Sequence, residues 1–478
     1  MKAVRATLQT LAVLLGLWAV LAIVGLVAGV LPFAGLGGET ASDAPIESAD
    51  AGVAEVDAAS EVDAAVVEAD AGALEIDAGP PAPVLPRFRR DRWIVCPEPA
   101  IAPSLAAIDL IGDAHAELAV GCGDRWEIIA ITNDVPLRVA RVDAPTSDAE
   151  SAPMAGAALA ADFDADGARD LILPLAFYGA GSATRGGGLY VVPRDRFGGF
   201  DNPRVLAPIA AVGVVAGLVD EGDAIDLAVV HRANPFARLP SEVWVFAGGA
   251  SPARRAVLRT AVGAQSAGLV DLDRDGKLDV IVTSPDEGRA DVFFGSGTGP
   301  FPRHHTLTIP GASGVAIGDV DGDGANDALI EASGVVVVRA RRASEGELEV
   351  TRIDAAPPTA REITTAQLDD DAAAEIVAWD HPRLVVIDTN ADGAFEALTR
   401  LELGPGELGP RRHVLADVDG DATPELVLLG VSAIDGVRSL ELVIVPSAER
   451  GVVDVGDRRD VNDAPLRLRV PLPDAQAP

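Results

Sequence analysis

A formal net charge of −35 over 478 residues sets nucleic acid aside as a partner, because phosphate binding rests on arginine and lysine. Hydrophobic residues reach 49% but aromatics only 4%, so a core must be built from Ala, Val, Leu and Ile. The 49 glycines and 34 prolines demand many turns, which suits short strands better than long helices.

Lys2 and Arg5 precede a stretch, 6–38, that carries no charged residue. Its most apolar part, 8–31, would make a helix of roughly 36 Å at ~1.5 Å per residue, enough to cross a bilayer. A cleaved signal peptide has an apolar region of about 7–15 residues, so residues 1–38 read as an uncleaved signal anchor, with a removed signal peptide as the alternative. Basic charge before this transmembrane helix and acidic charge after it place the N-terminus in the cytoplasm. The rest is then extracytoplasmic, periplasmic or at the cell surface. Residues 39–86 follow as an acidic, Ala- and Pro-rich linker, with 12 acidic and no basic residues between Glu39 and Asp77. Self-repulsion and the lack of large apolar groups predict a disordered spacer. Arg87, Arg89, Arg90 and Arg92 open the domain at 87–478.

From about residue 100 the chain repeats. An acid followed by an apolar run recurs at Glu117, Asp170, Asp226, Asp279, Asp327, Glu375 and Glu425, at intervals of 53, 56, 53, 48, 48 and 50 residues. Each unit reads as four short strands: one of small residues (157–161 or 314–317), the apolar one after the acid, a third such as 242–246 or 291–294, and a weaker fourth such as 305–309. Four strands repeated seven times predict an all-β fold, a seven-bladed β-propeller with the small-residue strands innermost.

Four of the loops before these runs carry acids at positions one, three, five and nine. They are Asp162, Asp164, Asp166 and Asp170; Asp271, Asp273, Asp275 and Asp279; Asp319, Asp321, Asp323 and Asp327; and Asp417, Asp419, Asp421 and Glu425. Position six is Gly167, Gly276 and Gly324 in the first three and Ala422 in the fourth. Two carboxylates about 4 Å apart repel by about 4 kcal/mol at an effective dielectric of 20. Four converging in one turn call for a cation, and hard oxygen ligands select calcium. Blade six keeps Asp369, Asp371 and Glu375 with Gln367 at position one, a weaker metal site. Blades one and three, with Ile111 at position three and with Asp220, Asp223 and Asp226 out of register, are expected to hold no ion. Residues 388–396 also fit the acidic spacing but read as a hairpin turn.

Here the sequence resembles the FG-GAP/VCBS repeat proteins, whose best-known member is the integrin α-subunit head. The resemblance covers about 100–478 and rests on the Asp-x-Asp-x-Asp-Gly-x-x-Asp loops, the apolar strand after them, and the elements Phe294-Gly295 and Pro300-Phe301. It implies a seven-bladed propeller with calcium between the first and second strands of a blade.

The function expected is a calcium-stabilised binding or scaffold module, adhesion-like, anchored to the membrane through the N-terminal helix and facing a protein or glycan partner at the envelope or cell surface. The alternative is a carbohydrate-active enzyme or lectin on the same fold. Only six histidines and two tyrosines occur, and no motif pairs a nucleophile with a base, so no catalytic residue is assigned. His304-His305, beside a turn, reads as exposed, and Trp93, Trp126, Trp244 and Trp379 as strand core. The two cysteines, Cys96 and Cys122, are expected to form a disulfide in an oxidising compartment. The loops between second and third strands lie opposite the calcium loops and are longest at 174–188 and 231–241. They concentrate aromatics and arginines, so Tyr178, Arg232 and Phe236 are the residues expected to bind a partner, the alternative being insertions that pack over the blade edge. The resemblance agrees, since integrin heads engage ligands on that face.

Overall fold

The computed structural model describes residues 91–96, then 103–445 with short interruptions, and the segments 459–460 and 466–470. The expected anchor at 1–38 and spacer at 39–86 lie outside the described residues. Among the described residues no helix is long and apolar enough to cross a membrane.

Blade four shows the construction. Its strands Ser266–Val270, Asp279–Ser284, Arg289–Phe294 and Arg303–Thr308 pair antiparallel in that order. The second strand is covered by a neighbouring blade on each face, so all six of its residues are buried and it reads as a continuous apolar run. The fourth strand is an outer edge and is almost wholly exposed. The first strands lie beside one another around one axis, and the last touches the first. Crowding there explains their small residues: a Cβ on Gly268 would come within 2.8 Å of Val315 from the next blade. Each pair of neighbouring sheets encloses its own apolar cluster, such as Trp126, Leu171, Leu173 and Tyr190 between blades one and two.

The expectation of seven like blades needs correction. Six four-stranded blades are built from consecutive strands of the chain. The remaining sheet is composite: Gly409–Ala416, Glu425–Ile434 and Val437–Val445 are completed by Asp91–Cys96, which precedes blade one in the chain, with Trp93 opposite Leu442. Leu466–Arg469 then runs parallel to Val135–Asp143 on the outer edge of blade one. The repeat count from acid to acid could not show this, because the last unit lacks a fourth strand of its own.

Two local expectations also change. The first strand of blade two is split into Ala152–Ala155 and Leu159–Ala161, rather than running through 157–161. The split lies opposite Pro174, which has no N–H for a ladder bond; its carbonyl instead accepts the Gly156 N–H at 2.9 Å. The stretch 174–188 is not a long loop, since Asp170–Tyr178 and Thr184–Val192 form an extended hairpin. Residues 388–396 do form the turn between third and fourth strands of blade six, closed by Asn390 N–H to Ala394 O at 2.8 Å.

Candidate functional site

The acidic loops join first to second strands along one face of the ring. Their backbone is common to all four full loops: positions four and six both have positive φ, at Ala165 and Gly167 (61° and 89°), Arg274 and Gly276 (61° and 80°), Gly322 and Gly324 (67° and 84°), and Gly420 and Ala422 (83° and 68°). Glycine adopts this conformation freely and other residues do so at a cost. The two left-handed residues turn backbone N–H groups inward. In blade four the Asp271 carboxylate accepts the N–H of Asp275 at 3.0 Å and of Gly276 at 2.8 Å, while Asp275 accepts that of Lys277 at 3.0 Å. Blades two and five repeat these bonds.

So oriented, the carboxylates converge. Oxygens of Asp162, Asp164 and Asp166, of Asp271, Asp273 and Asp279, of Asp319, Asp321 and Asp323, and of Asp417, Asp419 and Glu425 each form a group within 4.8 Å. Position five belongs to the group in blades two and five, and position nine in blades four and the composite sheet. Asp421 and Asp369 lie outside the described residues, so the fourth loop and the blade-six loop are described without them. Oδ1 of Asp273 and Oδ2 of Asp327 are buried without a hydrogen-bond partner. Burial pushes the carboxyls of Asp279 and Asp327 up to about 7 and that of Asp170 to about 6. Buried oxygens without donors, on an all-oxygen donor set in a preformed turn, fit a hard divalent cation such as calcium.

Position nine has a second task that spacing alone does not reveal. Asp279 accepts the N–H of Leu272, at position two, at 2.9 Å and of Gly295, just after the third strand, at 2.8 Å. Asp170 does the same with Phe163 and Arg194, and Asp226 with Val219 and Gly248. Glu117, Glu375 and Glu425 bind the position-two N–H at 2.8, 2.7 and 2.9 Å. In blades two, three and four this acid is therefore a strut between the loop and the segment after the third strand; the glutamates brace the loop alone. The persistence of the position-nine acid in all seven repeats, while positions one, three and five vary, is the pattern that could have revealed it.

At two junctions the loops are also linked from blade to blade. Position eight of one loop reaches the position-one carbonyl of the preceding blade, through Ala116 N–H to Asp417 O at 2.8 Å and Ala374 N–H to Asp319 O at 2.7 Å. In the degraded loop of blade one, Asp109 instead pairs with the Arg169 guanidinium of blade two at 2.6 Å. In blade six, Asp371 accepts the Ala373 N–H at 2.8 Å and its own carbonyl takes the Gln367 amide at 2.7 Å.

On the opposite face, Tyr178 and Arg232 are brought together. Burial first, then opposed by the hydrogen-bonded Arg232, sets the Tyr178 hydroxyl above its usual range. Arg232 also lies 3.5 Å from Asp286 in the neighbouring blade, a residue the sequence reading did not include. Phe236 lies outside the described residues. Trp126 and Trp379 are core residues, but Trp244 is only half-buried, beneath the Arg254 guanidinium at 4.1 Å. His304 and His305 are exposed, as expected; His304 also stacks on Phe293 with ring centroids 4.4 Å apart and bonds the buried Asp291 at 3.0 Å. Cys96 and Cys122 are disulfide-bonded, with Cα atoms 6.1 Å apart.

The FG-GAP-like repeat family matches residues 271–330, which span the acidic loops of blades four and five. No curated protein matches the sequence. Among solved structures, the Tc holotoxin pore of Photorhabdus luminescens is 15% identical and covers 68% of this chain, with a TM-score of 0.31. This chain spans 17% of the length of that one, and a likeness at that score carries no inference.

Proposed function

We propose that this FG-GAP-like propeller is a calcium-stabilised binding or scaffold module, held at the membrane by its N-terminal segment and acting outside the cytoplasm. The observation that carries the calcium reading is the convergence of four carboxylate groups in preformed turns, with the buried Oδ1 of Asp273 in the blade-four group lacking a donor. The ligands would be Asp162, Asp164 and Asp166 in blade two, with counterparts in blades four, five and the composite sheet. The cation would neutralise carboxylates that otherwise repel one another, and so fix the acidic loops.

The anchoring reading rests on the charge-free stretch 6–38 and fits a disulfide, which persists outside the reducing cytosol. The partner, a protein or a glycan, would meet the face opposite the calcium loops, where Tyr178, Arg232 and Asp286 meet. The test is capture of envelope proteins and glycans by the wild-type chain and by a Tyr178→Ala/Arg232→Ala variant of equal melting temperature. Loss of a specific capture supports the reading. Capture of the same partners by the variant removes that face as the site.

A further inference from the structure

The carboxylate at position three of the acidic loop faces an arginine in three successive blades, three, four and five. Arg303, first residue of the fourth strand of blade four, pairs with Asp273. Arg339, near the end of the third strand of blade five, pairs with Asp321 at 2.6 Å. Arg255 of blade three lies 3.8 Å from Asp220. In blade two, Arg204, first residue of the fourth strand, pairs instead with Asp201 at 3.3 Å. Counting back from the position-nine acid, Asp220, Asp273 and Asp321 all occupy position three.

The two oxygens of Asp273 are divided. Oδ2 takes the guanidinium, while Oδ1 is buried without a partner on a side chain only 5% exposed. Arg303 is itself pinned over the Phe294 ring at 4.2 Å. A further arginine, Arg274 of the blade-four loop, reaches across to Asp323 of the blade-five loop. In blade three, Leu218 stands at position one and is 49% exposed, yet the arginine facing position three remains. The arginine thus accompanies the loop even where the acid set for a cation is incomplete.

We propose that Arg303 and Arg339 are built-in counter-ions of the blade-four and blade-five loops, which hold the calcium-free loops folded and weaken their affinity for calcium. The inference rests on the calcium reading above. A guanidinium is attracted by all the carboxylates of a calcium-free loop but repels the ion that enters it. It therefore stabilises the empty loop more than the loaded one, and by linkage lowers calcium affinity by the same factor. Such loops stay folded when calcium is scarce and load only at the higher concentrations typical of extracellular modules.

The experiment titrates calcium into the full chain by calorimetry and records thermal melts in EDTA. It compares wild type with Arg303→Gln/Arg339→Gln and with Arg303→Lys/Arg339→Lys. The glutamine pair should bind calcium roughly two- to fivefold tighter at these sites and should melt lower in EDTA. The lysine pair, which keeps the charge, should return both values towards wild type. Should the double variant fail to fold in EDTA, the single Arg339→Gln variant is read by the same criteria. Unchanged or weaker affinity in the glutamine variants overturns the proposal while leaving the calcium reading intact. A wild type that binds no calcium overturns both.

Discussion

Cys96, in the strand that completes the composite sheet, is bonded to Cys122 at the end of the second strand of blade one. The bond sits in the apolar cluster between these two sheets, with Val95, Leu118, Val120, Leu429 and Leu442. It therefore ties the seam where the composite sheet meets blade one and closes the ring. Closing a loop of 26 residues contributes about 3–4 kcal/mol in the chain-entropy model. Reduction, or a Cys96→Ala/Cys122→Ala variant, should lower the melting temperature accordingly, and thiol labelling of the denatured, unreduced chain should find no free thiol. Two labelled thiols would contradict the account of the seam.

Asp226 lies in a blade whose loop lacks the full acid set, yet its carboxylate accepts three N–H groups, from Val219, Asp220 and Gly248, at 3.0, 3.0 and 3.1 Å. Asp226→Asn keeps the shape but turns an amide N–H towards donors. The expected loss is about 2–3 kcal/mol, measured by urea unfolding and equal in calcium and in EDTA. A loss seen only in calcium would assign this acid to ion binding instead of bracing.

Ala422 holds φ of 68° where the other full loops have glycine. A side chain in that region costs about 1–2 kcal/mol. Ala422→Gly should therefore stabilise the chain by about 1 kcal/mol, read as a raised urea midpoint. A lowered midpoint would show that the turn is not strained there.

Asp291 is fully buried, and burial alone would raise its carboxyl. Hydrogen bonds from Thr260, Arg289, His304 and Thr306 outweigh this and hold it below its usual range. Because the folded value lies below the unfolded value of about 3.9, the group stabilises the fold above that pH. The contribution is lost as pH falls through the folded value. Asp291→Asn should cost about 3 kcal/mol at pH 7, with the gap from wild type narrowing below about pH 4. A gap independent of pH would assign the loss to packing.

Much of this architecture could be read from spacing. The fifty-residue interval marks the blades, and the Asp-x-Asp-x-Asp runs mark the loops, because both are local patterns on consecutive residues. What spacing could not show depends on contacts between distant segments. Trp93 meets Leu442, and no local period announces such a pairing. Arg303 reaches Asp273 from 30 residues away, and Asp279 braces Gly295 across the third strand. The expected loop at 174–188 is instead an extended hairpin, in which Gly186, Gly187 and Gly188 lie within a strand. There Gly187 lies so close to Leu175 O that a Cβ would stand 2.1 Å from it.

Calcium, as proposed above, would hold the acidic loops in place. Ligand that binds only the folded state stabilises it by about 2.7 kcal/mol per site at a hundredfold excess over Kd. The measurement is thermal melting of the full chain in EDTA and then with calcium restored. The account predicts a melting temperature that falls in EDTA, recovers with calcium, and recovers far less when Asp271 and Asp319 are both changed to Asn. Superimposable melting curves in EDTA and calcium would contradict it.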